Sequence, residues 1–163
     1  HMLGTYTLKS IVEKGEYITP SVIREMKEKD REAVIEMMRG FYASPAVSTN
    51  GSDEIFTADF DACVGNSPYL EGYVFEENDT PVGYAMLAKS FSTEFGRPCI
   101  WIEDIFVCEA ARGEGIATRF FALVDEKYPT ALRRLEVEPD NERALSVYRK
   151  CGYTPLPYLE LKK

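Results

Sequence analysis

The twelve residues from Val107 to Thr118, Val-Cys-Glu-Ala-Ala-Arg-Gly-Glu-Gly-Ile-Ala-Thr, constrain this chain more than any other stretch. They follow its most strand-like run, Cys99 to Val107. They lead into a segment to about Tyr128 in which Ile116, Phe120, Leu123 and Val124 recur at helical spacing. A strand, a glycine-rich turn and a helix in that order make an anion cradle. Glycine lets backbone approach a phosphate, and the helix start aims free N–H groups and a positive dipole end at it. A dinucleotide-binding domain opens in the same way, and the acidic Glu136 stands about twenty residues on. Thr118, however, occupies the third glycine position, and fewer than fifty residues remain. A Walker A loop would need a Gly-Lys-Ser/Thr ending, which is absent.

The rest of the chain reads as one α+β unit without repeats or linkers. Residues 3–21 carry weak strand character and are expected to be an extension behind a tag remnant, His1-Met2. Val22 to Met26 is a first strand. Asp30 is the expected N-cap of a helix over Arg31 to Tyr42, with Val34, Met37, Met38 and Phe41 on one face. Ser44-Pro45 breaks it. Ser52 and Asp53 open a second helix carrying Phe56, Phe60 and Val64. Gly72–Glu77 and Val82–Phe91 make an antiparallel hairpin around four turn residues, Asn78 to Pro81. After the cradle and its helix, Pro129 gives way to a short strand over Leu132–Val137. Asp140 or Asn141 then caps a helix from Glu142 to Cys151, with Gly152 placed to end it. Tyr158 to Leu161 is a candidate last strand.

Composition narrows the function. The net charge is −8, which disfavours nucleic acid and anionic membrane as partners. No apolar run approaches the ~20 residues that span a bilayer. Most of the acidic excess lies before residue 100, where a cationic substrate would be drawn. Cys63, Cys99, Cys108 and Cys151 are scattered and, beyond His1, no histidine accompanies them, so no metal site is expected and a reducing, cytoplasmic setting is. Any general base is then a carboxylate, a tyrosine or a bound water.

Two blocks carry a specific resemblance. Arg112-x-x-Gly115-x-Ala117, with its preceding strand and following helix, resembles the Arg/Gln-x-x-Gly-x-Gly/Ala signature of the GNAT acetyltransferases. Leu135-Glu-Val-Glu-Pro-Asp-Asn141, Ala144, Tyr148 and Gly152-Tyr153 resemble that family's C-terminal pattern. The resemblance implies a single GNAT domain over residues 22–163: a mixed sheet with a splayed parallel strand pair and about four helices. It implies acetyl-CoA as cosubstrate, with the pantetheine arm at Ile105, Phe106 and Val107. The pyrophosphate is then expected on Arg112, Gly113, Glu114, Gly115, Ile116, Ala117 and Thr118, and Asn141 and Ala144 on the cofactor's other side. Tyr148 is expected to face the thioester sulfur, where a neutral phenol suits protonation of a leaving thiolate.

The acceptor is expected to be a small, cationic primary amine attacking directly in a ternary complex. Glu103 and Asp104 are adjacent in an apolar strand and so should point to opposite faces. Burial would raise such a carboxylate toward neutrality. Members with a similar pair favour the first position, making Glu103 the candidate base, directly or through water. Asp104, Tyr42 and Trp101 are candidate acceptor contacts, with Phe91 and Tyr158 as further aromatic walls and Asp53, Glu54, Asp59 and Asp61 as nearby acids. A homodimer through the C-terminal strand region is a further expectation from relatives. Two other readings stay open: a non-catalytic acyl-CoA-binding module, and a transferase for another acyl group.

Overall fold

In the computed structural model, residues 21–47 and 51–163 are described; the strand character expected over residues 3–21 lies outside them except for its last residue. Five strands form one sheet in the order β1-β2-β3-β4-β5: β1 Val22–Glu25, β2 Leu70–Glu77, β3 Thr80–Ser92, β4 Arg97–Val107 and β5 Leu132–Leu135. Neighbours are antiparallel except β4 and β5, which run parallel. The helices are α1 Arg31–Tyr42, α2 Asp53–Val64, α3 Ile116–Lys127 and α4 Glu142–Lys150.

The sheet separates two cores. Tyr73, Phe75, Ala85, Leu87, Ile100 and Ile102 pack against Phe120, Phe121 and Val124 of α3. Val74, Tyr84 and Met86 pack on the other face against Val34, Met38, Phe56 and Phe60 of α1 and α2. Strand alternation explains the division, since neighbours in sequence point to opposite faces.

Three local expectations change. The β2–β3 hairpin turns on two residues rather than four: Asn78 and Asp79 adopt φ of 51° and 59°. That left-handed pair matches the natural twist of a two-residue hairpin, and Asn and Asp tolerate it. Asp30 precedes α1 but its side chain does not cap it. Its carboxylate instead takes the Lys27 N–H at 2.8 Å and a two-pronged bond from Arg24, both contacts 2.8 Å. Two charged hydrogen bonds outcompete one neutral cap. Residues 158–161 form no strand.

β4 contains an irregularity that matters for function. Opposite it, Met86 pairs with Asp104 and Leu87 with Ile102, leaving Glu103 as an extra residue. Before this bulge, Ile100 and Ile102 face α3; after it, Ile105 and Val107 do, while Asp104 and Phe106 turn toward α1 and α2. The expected split of Glu103 and Asp104 across the sheet is therefore replaced: both project from the α1/α2 side. An inserted residue resets the alternation from that point on.

Candidate active site

β4 and β5 remain in register only from Cys99↔Leu132 to Ile102↔Leu135. Beyond that pair the strands diverge, and a cleft of about 720 Å³ opens between them. Its floor is Ile105, Phe106 and Val107. Among the described residues no strand hydrogen-bonds to β4 on this side here, which leaves outer backbone groups of β4 for a ligand.

One end of the cleft is the glycine turn and the start of α3. Gly113 and Gly115 have φ of 84° and 79°, and a Cβ added at either would meet nothing within 4 Å. The left-handed backbone conformation by itself favours glycine there, without crowding from the protein's own atoms. Turn geometry is thus a reason for Gly113 and Gly115 in its own right, and the open space in front of them is what close approach of a ligand would use. The Arg119 N–H bonds to the Gly115 carbonyl at 3.0 Å, so the N–H groups of Ile116, Ala117 and Thr118 ahead of it have no helical acceptor. Ala117 and Thr118 line the cleft. Ile116 also reaches it, but its side chain is buried in the α3 core, leaving its backbone as the part that can meet a ligand. Arg112 bends back, its Nε donating to the Val107 carbonyl at 2.8 Å. That bond ties the turn to the end of β4. Glu114 does not line the cleft. It lies against Glu77, whose carboxyl is pushed up by burial and then by Glu114.

The opposite wall is α4. The Asn141 Oδ1 accepts the Ala144 N–H at 3.2 Å and so caps the helix. Ala144, Val147 and Tyr148 follow along the cleft. Tyr148 packs edge-on against Phe121, ring centroids 5.6 Å apart. Burial pushes its phenol above the ordinary value, so it is a neutral proton donor throughout the physiological range. At the helix end Gly152 has φ of 92°. Its N–H bonds to the Arg149 carbonyl and that of Tyr153 to the Tyr148 carbonyl, both at 3.0 Å. This is a Schellman stop, and the Tyr153 ring completes it by resting near Tyr148.

Glu103 stands in the cleft wall, with Phe41, Ser44, Pro45 and Ala46 from the end of α1. Partial desolvation, followed by the charges of Asp104, Glu160 and Asp59, pushes its carboxyl up. Asp104 is 5% exposed and does not face the cleft. Tyr42 donates to its Oδ1 at 2.9 Å and Tyr84 to its Oδ2 at 2.7 Å. Burial raises Asp104 more than these two bonds lower it. Tyr42 is thereby engaged at Asp104, but it holds Phe41 edge-on at 5.5 Å, and Phe41 does line the cleft. Trp101 stacks under the Arg134 guanidinium at 4.4 Å, outside the cleft wall. Phe91 is exposed, and Tyr158 donates to Glu94 at 2.7 Å.

Of the nearby acids, Asp53 and Asp61 are bonded to Arg39 and Arg31. Asp59, half-buried and beside Asp104, is pushed up to about 6. Glu136 is the residue that sequence reading passed over as a functional group. It lines the cleft immediately after β5. The available signal was alternation, since it follows the inward Leu135.

A family model described as "Acetyltransferase (GNAT) family" matches residues 32–153. Thialysine N-epsilon-acetyltransferase of Bos taurus is 30% identical over 152 residues, covering 85% of this chain and 87% of that protein. The Mus musculus protein of the same name is 30% identical over 146 residues, covering 80% and 82%. Among solved structures, an aminoglycoside N-acetyltransferase in complex with CoA superimposes with a TM-score of 0.74 at 16% identity, covering 91% and 97% of the two chains. A predicted acetyltransferase with acetyl-CoA from Clostridium acetobutylicum gives 0.73 at 20% identity, covering 88% and 96%. A family match over most of the chain, its curated relatives and its splayed-strand fold lead to one conclusion: the chain belongs to the GNAT acetyltransferase family and is an acyltransferase.

Proposed function

We propose that this enzyme transfers acetyl from acetyl-CoA to the primary amine of a small cationic acceptor, by direct attack within one ternary complex. The observation that carries it is the single cleft joining the open N–H groups before Arg119, the Tyr148 phenol and the raised Glu103 carboxyl. The cleft suits the cosubstrate: the α3 start suits a pyrophosphate, and the unpaired edge of β4 suits the amides of a pantetheine arm. The thioester supplies an acetyl group already activated for transfer.

The chain's own groups do the proton work. An amine resembling that of lysine arrives as an ammonium, with a pKa near 10. Glu103 takes that proton, directly or through one water, freeing the nitrogen lone pair to form the new amide bond. The C–S bond breaks as the C–N bond forms, and Tyr148 hydrogen-bonds or protonates the departing sulfur. Alternation from Ile102 brings the Glu103 carboxyl to the side of the sheet where α1 lies and the acceptor would enter, and the bulge puts Asp104 on that side as well. Thiol release measured across diamines, amino acids, aminoglycosides and peptides tests this reading. We expect saturable activity on at least one small amine, with Tyr148→Phe and Glu103→Gln each lowering kcat by about 10²-fold or more. Full activity in both variants would overturn the roles.

The same reading places the enzyme in the cytoplasm, supported by four cysteines that are all free, with residues 22–163 as its catalytic domain. A homodimer is supported by apolar surface after α4: Tyr158, Leu159 and Leu161 are 60%, 86% and 89% exposed, more than a lone chain ordinarily leaves together. Sedimentation at micromolar concentration checks this, and a monomer would refute it.

A further inference from the structure

Asp104 is buried without a basic partner among the described residues. Two phenols meet it instead: Tyr42 donates to its Oδ1 at 2.9 Å and Tyr84 to its Oδ2 at 2.7 Å. The surroundings are aromatic. Phe41 and Tyr84 both pack on Phe106, with ring centroids 5.7 and 6.1 Å away, and Tyr42 packs on Phe56 at 5.2 Å. Replacing a polar group and its partners in such a cluster by apolar groups of the same shape is often neutral or stabilising. Stability is therefore a poor reason for a carboxylate here, and position is a better one.

The two phenols differ in where they come from. Tyr84 lies within β3, paired with Phe106 of β4, and is fully buried, so the sheet fixes it with or without its hydroxyl bond. Tyr42 is the last residue of α1, and its bond to Asp104 crosses from helix to sheet. On its other side the chain passes close: a Cβ on Gly51 would lie 2.9 Å from the Tyr42 Cβ. What Tyr42 fixes is passed along the turn after α1. The Ser44 hydroxyl donates to the Phe41 carbonyl at 2.6 Å and accepts the Ala46 N–H at 3.3 Å. Phe41, Ser44, Pro45 and Ala46 line the cleft together with Glu103.

Resting on the acetyl-transfer reading above, we propose that Asp104 is a positioning residue that acts through the Tyr42 hydroxyl, fixing the end of α1 as the wall on which the acceptor docks beside Glu103. Asp104 does not line the cleft, and no bond forms or breaks at it. The bulge makes the arrangement possible, because it turns Asp104 to the same side as Glu103. Base and wall are thereby set by successive residues of one strand.

The test uses Tyr42→Phe and Tyr84→Phe. Each removes one hydroxyl bond to the same carboxylate and keeps its ring, so both should lower Tm, but only the first releases α1. Acceptor KM and kcat are measured at saturating acetyl-CoA with whichever amine of the thiol-release panel the wild type acetylates fastest. CoA binding is measured by calorimetry, and hydrogen exchange is followed over residues 43–46. Tyr42→Phe is expected to raise acceptor KM about fivefold or more, with kcat changed less than about threefold and the Kd for CoA less than about twofold. Tyr84→Phe is expected to move acceptor KM less than about twofold, the limit set for a bond that does not reach the wall. Exchange over residues 43–46 should be about tenfold faster in Tyr42→Phe and like wild type in Tyr84→Phe. An unchanged acceptor KM in Tyr42→Phe overturns the inference. So does an equal rise in both variants, because the role of Asp104 is then structural only, and so does a Kd for CoA that moves as far as the acceptor KM. A wild type that acetylates no amine of the panel overturns the transfer reading beneath; the exchange arm then decides the hold on α1, and equal exchange in all three proteins overturns that too.

Discussion

Two carboxylates, Asp30 and Asp104, are buried among the described residues, and they meet burial in opposite ways. Around Asp30, desolvation works upward, but the Arg24 bond, the Lys27 N–H and the Arg24 charge outweigh it and hold the carboxyl below its usual range. A depressed folded-state value means stability that is present above the unfolded value of about 3.9 and lost as pH falls through the folded one. Asp30→Ala should therefore cost roughly 3 kcal/mol at neutral pH by leaving Arg24 underpaired, and less in acid, as thermal melts across pH would show. Asp104 is raised, so the fold is favoured while it keeps its proton and that increment is lost as pH rises through its folded value. Tyr42→Phe removes a donor to the charged form. We expect a loss of about 2 kcal/mol in denaturant titrations at neutral pH, smaller in mild acid. The sequence made Asp104 a candidate acceptor contact, whereas it is buried under the Tyr42 and Tyr84 hydroxyls and away from the cleft. It misread Asp30, because local capping statistics contain nothing about an arginine six residues back that folds over to meet it.

At the scale of elements, periodicity carried most of the assignment. The bounds of α1 and α2 follow from apolar spacing flanked by Asp30 and Ser52, while β3 is longer than expected at both ends and β4 at its start. The bulge at Glu103 was not legible, since an inserted residue in an apolar strand has no composition of its own; only pairing with Met86 and Leu87 reveals it. Its consequence is two acids on one side: burial raises both, and the Asp104 charge adds to the rise at Glu103. The end of α4 was legible through Gly152, whose left-handed φ completes the stop that holds the Tyr148 turn. Gly152→Ala should destabilise the protein by about 1 kcal/mol. It should also lower kcat by loosening Tyr148, and an unchanged kcat in a folded variant would separate the cap from the phenol.

For the molecule as a whole, a parallel pair that parts after four registered residues makes the fold an enzyme scaffold. The two sequence blocks pointed at both sides of that gap, the glycine turn on one and α4 on the other, because anion binding and helix capping leave local signatures. The acceptor side left few. It is assembled from the end of α1, the bulge and the residues after β5, which meet only in three dimensions, and so Glu136 entered the sequence analysis only as the acid a dinucleotide-binding domain would need. Proton abstraction in this cleft by Glu103 is the claim on which the rest depends. Its most direct test is the pH dependence of kcat/KM for the best amine acceptor, on wild type and Glu103→Gln. Wild type should show an acid limb displaced above the ordinary carboxylate range, and Glu103→Gln should lose that limb along with most activity. An acid limb that persists unchanged in Glu103→Gln would contradict the account.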